Sequence, residues 1–232
     1  MIPISDANPS LHRPIVTISF IWMCVFIYIF ATPNDLPNFN EFLYRYAAIP
    51  CEIINNTPIT DQQYYMNNCS AQEGITIFPT KNIQFSLLFS SFIHSGFLHL
   101  LGNIWSLWIF GDNVEDKLGK SKTILFILIA SVVSITGHSL FNAGSTIPIV
   151  GASGVVAGFM GAYYFLFPNA RILAFLLIPF WMPITIRAKN FMLFWIGSQL
   201  LLIIQTTNIS WEAHLFGFIV GYIVVRYLYR LN

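Results

Sequence analysis

The chain has 232 residues, of which 56% are hydrophobic and only 9% charged, and its formal net charge is +1. Soluble domains carry about 25% charged residues, so this chain cannot cover a water-facing surface, and its hydrophobicity excludes disorder. The near-zero charge gives no case for nucleic-acid binding; what remains is a polytopic membrane protein with room for about six or seven spans of ~20 residues.

Residues 1–14 form a short polar tail in which His12 is expected to be solvated. The first apolar run, Ile15 to Ala31, follows Arg13 and ends at Pro33. It is long for the apolar core of a signal peptide, and Thr32-Pro33 is a poor cleavage context, so it reads as an uncleaved first span. Residues 32–82 are polar, hold five of the chain's ten acids and read as an extramembrane loop. Cys51 and Cys69 both fall in this loop and Cys24 in the first span. A Cys51–Cys69 disulfide in an oxidising compartment and two free thiols are both compatible with the sequence.

Residues 83–232 contain five further apolar segments: Phe85–Phe110, Thr123–Phe141, Val150–Phe167, Phe191–Gln205 and Ala213–Tyr229. Ile172–Ile186 is also apolar, but Pro179 and Pro183 interrupt it. Fifteen residues of helix reach only ~22 Å, short of a ~30 Å hydrocarbon core, so this segment is predicted to be an interfacial loop. With the N-terminus cytoplasmic, Arg13, Lys117, Lys120, Lys122, Arg171, Arg187, Lys189, Arg226 and Arg230 lie inside, and only Arg45 and Lys81 outside. Nine of eleven basic residues on one side satisfies the positive-inside rule. The predicted fold is therefore an all-α, six-span bundle with both termini cytoplasmic.

Polar groups inside a membrane are costly and mark function. His99 lies 13 residues from Asp112, Ser153 15 residues from Pro168, and His214 12 residues from Arg226. These intervals correspond to about 20, 22 and 18 Å of helix, so three helices place a His, a Ser and a His at nearly one depth, in the outer half of the bilayer. Gly154 and Gly158 form one GxxxG pair, and Gly217 and Gly221 form a second. Small residues spaced by four let helices approach closely in lipid, which would bring Ser153 and His214 together. His99 and Asn103, at i and i+4, share a helix face.

These are the parts for acyl transfer. A serine hydroxyl becomes a nucleophile when a base takes its proton, and His214 has the right proton affinity. His99, Asn103 and the Ser153 backbone N–H could stabilise an oxyanion. No acid is placed to orient His214: Glu212 is expected to be solvated at the outer interface, and His138 to be a satisfied core residue. A Ser–His dyad is expected rather than a triad.

The motifs His94-Ser95-Gly96-Phe97-Leu98-His99-Leu100-Leu101-Gly102-Asn103, Phe110-Gly111-Asp112-Asn113-Val114-Glu115-Asp116-Lys117-Leu118-Gly119, Gly151-Ala152-Ser153-Gly154 and Ala213-His214 followed by Gly217 and Gly221 resemble those of rhomboid intramembrane serine proteases, in order and spacing. The resemblance implies a six-helix bundle with a water-filled cavity open to the outside. It implies Ser153 as nucleophile, His214 as general base, and His99 and Asn103 as oxyanion-stabilising side chains. His94, Gly151, Gly154, Gly217 and Gly221 have supporting roles. It further implies single-span membrane-protein substrates, no metal and no cofactor. A Trp-Arg pair common in the family is replaced here by Phe85 and Ser86, a departure that bears on loop packing more than on chemistry. A bacterial inner membrane, with the site facing the extracytoplasmic side, is the expected location.

Two other functions compete. A transporter would show intramembrane acids or unwound half-helices near the midplane, but Thr123 to Trp211 contains no acid. A catalytically silent binding or chaperone module of the same fold would lack a reactive serine. The sequence leaves the oligomeric state and the identity of the substrate open.

Overall fold

The computed structural model describes residues 1–71, 74–176, 182–202 and 210–230. A short strand, β1 (Ile2–Asp6), precedes α1 (Ile15–Phe26), which runs on as a π-helical turn to Ala31. The first turn of α1 has no side-chain cap of its own. Instead the buried Glu115 carboxylate accepts from Val16 N (2.9 Å), Thr17 N (2.7 Å) and Thr17 Oγ1 (2.8 Å). Free N–H groups at a helix start attract an anion, so Glu115 ties the entry of α1 to a later helix.

Residues 32–82 fold into a small helical unit: α2 (Leu36–Tyr46), α3 (Pro50–Asn55) and α4 (Asp61–Met66). Cys51 and Cys69 are joined in a disulfide, which resolves the choice the sequence left open, and Cys24 is free and buried. Lys81 and Glu52 form an ion pair of 2.5 Å with both side chains 1% exposed. The Lys81 ammonium also donates to Tyr44 O (2.8 Å) and Ala47 O (2.7 Å), and Glu52 Oε1 accepts from Ile59 N (3.1 Å). Burial pushes the Glu52 carboxyl up and the Lys81 ammonium down, each opposed by the partner's charge. Such a pair holds only because both ions are otherwise hydrogen-bonded.

The second predicted span is bent. α5 (Ile83–Phe89) continues as a 3-10 turn over Ser90–Phe92, and α6 (Phe97–Leu118) leaves it at 82°. The single span Phe85–Phe110 is therefore corrected to a broken pair. The break falls at His94-Ser95-Gly96, and α6 extends to Leu118, beyond the predicted end. α7 (Lys120–Phe141), α8 (Ser153–Leu166), α9 (Ala188–Leu202) and α10 (Trp211–Arg230) complete the bundle. Among the described residues, α7 alone is long and apolar enough to cross a membrane unaided, and the α5–α6 pair passes the same test jointly. Gln205, the predicted end of the fifth span, lies outside the described residues.

The all-α expectation is also corrected. Residues Arg171–Leu176 (β2) and Met182–Arg187 (β3) form an antiparallel hairpin, and β1 joins it in a three-stranded sheet of order β1-β2-β3. The segment predicted as an interfacial loop is thus mostly strand. Prolines exclude a helix but are tolerated on edge strands: Pro183 lies on the edge strand β3 and Pro3 on the edge strand β1, whereas Pro179 lies outside the described residues. In β2, Ile172 and Ala174 are fully buried while Arg171 and Leu173 are exposed, the period-two alternation of a half-buried strand.

The main core joins α1, α6, α7, α8, α9, α10 and β2. Its tightest seam is α8 against α10. A Cβ on Gly217 would press on the Gly154 carbonyl and on Ala157, one on Gly221 on the Gly158 carbonyl, and one on Gly161 on the Phe218 carbonyl. The two predicted GxxxG faces meet, backbone against backbone.

Candidate active site

A cavity of about 370 Å³ opens at the end of this seam formed by the first turns of α8 and α10. Ser153, His214 and His99 all line it, with Gly151, Gly154 and Ser134. Three helices predicted to carry a polar group at one depth thus deliver those groups to one enclosed space. Ser153 is the first residue of α8, so its N–H is among the donors a helix start leaves without an intrahelical partner.

The loop leading to Ser153 is held from three sides. Gly151 N donates to Ser90 O (2.9 Å), while Ser90 Oγ accepts from Ala48 N (2.6 Å). Ala48 O in turn accepts from Ile149 N (2.8 Å). His94, fully buried, turns Nδ1 toward Phe92 O (3.1 Å) and Nε2 toward Ala152 N (3.4 Å). A carbonyl accepts and a backbone N–H donates, so both contacts fit the Nδ1-protonated ring. His94 therefore braces the residue before Ser153.

Gly151 has φ +118, a conformation that L side chains rarely adopt, and a Cβ there would lie 2.6 Å from His99 Cε1 and Nε2. Glycine is required by conformation and by space alike. His99 Nδ1 pairs with Ser95 Oγ at 3.0 Å, and the His94 and His99 rings meet edge to face at 5.2 Å. Asn103 is buried, but it is not among the residues lining the cavity; its Nδ2 donates to His99 O at 3.0 Å.

Sequence reasoning missed two partners. The first is Gln199 on α9, whose Oε1 lies 2.6 Å from His214 Nδ1, with both residues buried. The second is Glu212. It is 8% exposed, not solvated as predicted: Oε2 lies 3.1 Å from His138 Nδ1, and Oε1 accepts from Asn142 Nδ2 at 3.1 Å. His138, expected to be a satisfied core residue, finds its partner in Glu212. Both partnerships join residues distant in sequence, and no local spacing announces them. The available signal was one glutamine in α9 and one glutamate in α10, each set within a largely apolar stretch.

Comparison with known proteins follows the same residues. The family model for the Rhomboid domain matches residues 82–231. The chain is 34% identical over 94 residues to "Rhomboid protein 1, mitochondrial" of Saccharomyces cerevisiae, covering 39% of this chain and 27% of that protein. It is 37% identical over 71 residues to "Rhomboid protease GlpG" of Yersinia pestis, covering 31% of this chain and 24% of that protein. The same protein name in Yersinia pseudotuberculosis matches with the same identity and coverage. The matches thus span about a quarter of the length of these relatives.

Proposed function

This chain belongs to the rhomboid family, an integral membrane family, and on that premise we propose that it is an intramembrane serine endopeptidase acting on membrane-protein substrates. The single observation that carries the proposal is the shared cavity, in which Ser153, His214 and His99 face a common space from α8, α10 and α6. The naming of two Yersinia relatives as proteases supports the same reading.

In the proposed reaction Ser153 Oγ attacks the scissile carbonyl as its proton passes to His214 Nε2. The tetrahedral oxyanion is stabilised by the Ser153 N–H and by His99, with Asn103 offering the second hydrogen of its amide. Collapse breaks the C–N bond, and His214 returns the proton to the leaving amine. Water, deprotonated by His214, then attacks the acyl-enzyme and releases the new carboxyl group with Ser153 restored. Hydrolysis inside a membrane needs a polar pocket enclosed by protein, and a substrate helix must unwind locally to offer a carbonyl. A single-span substrate entering from the lipid suits that requirement.

The proposed topology has residues 83–232 as a five-span catalytic core, residues 15–31 as a preceding span and residues 32–82 outside. Both termini are cytoplasmic. The large apolar side chains turned outward, among them Trp22 (66% exposed), Phe30 (73%), Leu98 (80%) and Trp108 (67%), support contact with lipid. The basic-residue asymmetry supports this orientation, with the cavity on the extracytoplasmic side of a bacterial inner membrane.

A fluorophosphonate probe tests the reactive serine. Incubation of the purified protein in detergent should phosphonylate Ser153, located by peptide mapping, and His214→Ala should suppress the labelling. Absence of labelling in folded protein would favour a silent binding module instead.

A further inference from the structure

We propose that Gln199 is the positioning residue of His214, holding the imidazole in the tautomer whose Nε2 is free to accept a proton. The inference rests on the reading of Ser153 and His214 given above. It begins from one contact, His214 Nδ1 to Gln199 Oε1 at 2.6 Å, with each residue only 8% exposed.

The orientation of the amide is set by its other end. Gln199 Nε2 lies 3.3 Å from Trp195 O and 3.3 Å from Ser198 Oγ. Ser198 Oγ donates its own hydrogen to Trp195 O at 2.6 Å, so it receives from Gln199. Both neighbours of Nε2 are acceptors, which leaves Oε1 toward the imidazole. A carbonyl oxygen accepts only, so His214 Nδ1 must carry the hydrogen, and the lone pair falls to Nε2. Trp195 packs its ring 5.7 Å from the His214 ring and limits its rotation.

The other titratable groups around His214 do not compete for Nδ1. His99 from α6 pairs with Ser95, and His138 from α7 pairs with Glu212 of α10, whose second oxygen is held by Asn142. From α8 the neighbour is Ser153, which does not titrate in this range. A serine hydrolase ordinarily gives this orienting task to a carboxylate. A neutral amide orients the ring without burying another charge, which in a lipid-embedded site avoids a large desolvation cost.

The test is the pH dependence of kcat and KM for cleavage of a model single-span substrate in liposomes. The proteins are the wild type, Gln199→Leu, Gln199→Glu, and the references Ser153→Ala and His214→Ala. Gln199→Leu should lower kcat roughly 10- to 100-fold with KM nearly unchanged, as loss of an orienting partner does. Gln199→Glu should keep kcat within a few-fold at high pH but move the acid limb up by about one unit, because a carboxylate favours the imidazolium. A merely structural contact would not move that limb. Wild-type kcat in the Leu variant, or an unmoved limb in the Glu variant, overturns the role of Gln199 while inactive references leave the dyad standing. Activity in both references overturns the dyad and the inference together. If Gln199→Leu does not fold, the limb of Gln199→Glu decides alone.

Discussion

The two ends of α8 are held by different physics. At its N-terminal end, the loop before Ser153 hangs on polar contacts: Ser90, His94 and Ala48 fix the loop backbone. Behind Ala48 stand the Glu52–Lys81 ion pair and the Cys51–Cys69 disulfide. The same unit also reaches the loop through Cys51 N to Ser145 O (3.0 Å) and Cys69 N to Gly144 O (3.2 Å). Further toward its C-terminus, α8 is held by sterics, with Gly158 and Gly161 meeting the backbone of α10 directly. The polar clamp aims the loop that carries Ser153; the glycine seam sets how near the helix bearing His214 can come. The clamp should therefore fail by losing activity along with local order, and the seam by losing the whole bundle.

The largest effect is predicted for Lys81→Met. It strands the Glu52 carboxylate in a dry site, and breaking a buried pair in this way costs roughly 3–5 kcal/mol. Hydrogen exchange over residues 32–82 in detergent should show the loss as local opening, and adding Glu52→Leu should recover much of it. Gly221→Val comes next: the new Cβ meets the Gly158 backbone, which cannot yield as a side chain can, and the cost is roughly 3 kcal/mol. Stability and activity should fall together there, whereas equal retention of both would break the contrast between seam and clamp. Replacing Cys51 and Cys69 with alanine opens a link between residues 18 apart, at roughly 2–3 kcal/mol. This change should act locally, lowering cleavage more than it lowers the unfolding temperature of the helices.

The smallest predicted effect is at Asp6, against the C-terminal half of α8. Burial raises the Asp6 carboxyl from 3.8 to about 6, opposed by the hydrogen bond from Tyr163 of α8. A raised carboxyl keeps its proton longer when folded. Its contribution is thus complete below the ordinary value and is lost as pH climbs through about 6. Asp6→Asn should flatten the stability profile between pH 4 and 6, and an unchanged slope would show that Asp6 does not carry it.

The seam and the cavity were legible because their signals are local: glycine at intervals of four, and Ser153, His99 and His214 at matched distances from helix ends. The sheet was not, because Pro179 and Pro183 argue against helix equally well in a loop or an edge strand, and β1 pairs with β2 across most of the chain. The bend before α6 was missed because His94-Ser95-Gly96, where it falls, reads as polar residues carried inside one apolar span rather than as a break in it. Gln199 was overlooked and Glu212 misjudged for a shared reason. Their partners lie 15 and 74 residues away, and only the packed bundle shows that each is satisfied.

The central claim is that Ser153 attacks a substrate peptide bond. The most direct measurement compares purified wild type and Ser153→Ala on one single-span substrate in liposomes, with the fold of each verified by thermal unfolding. Cleavage by the wild type and none by an equally stable Ser153→Ala is the predicted result. Cleavage at the same rate by both would contradict it.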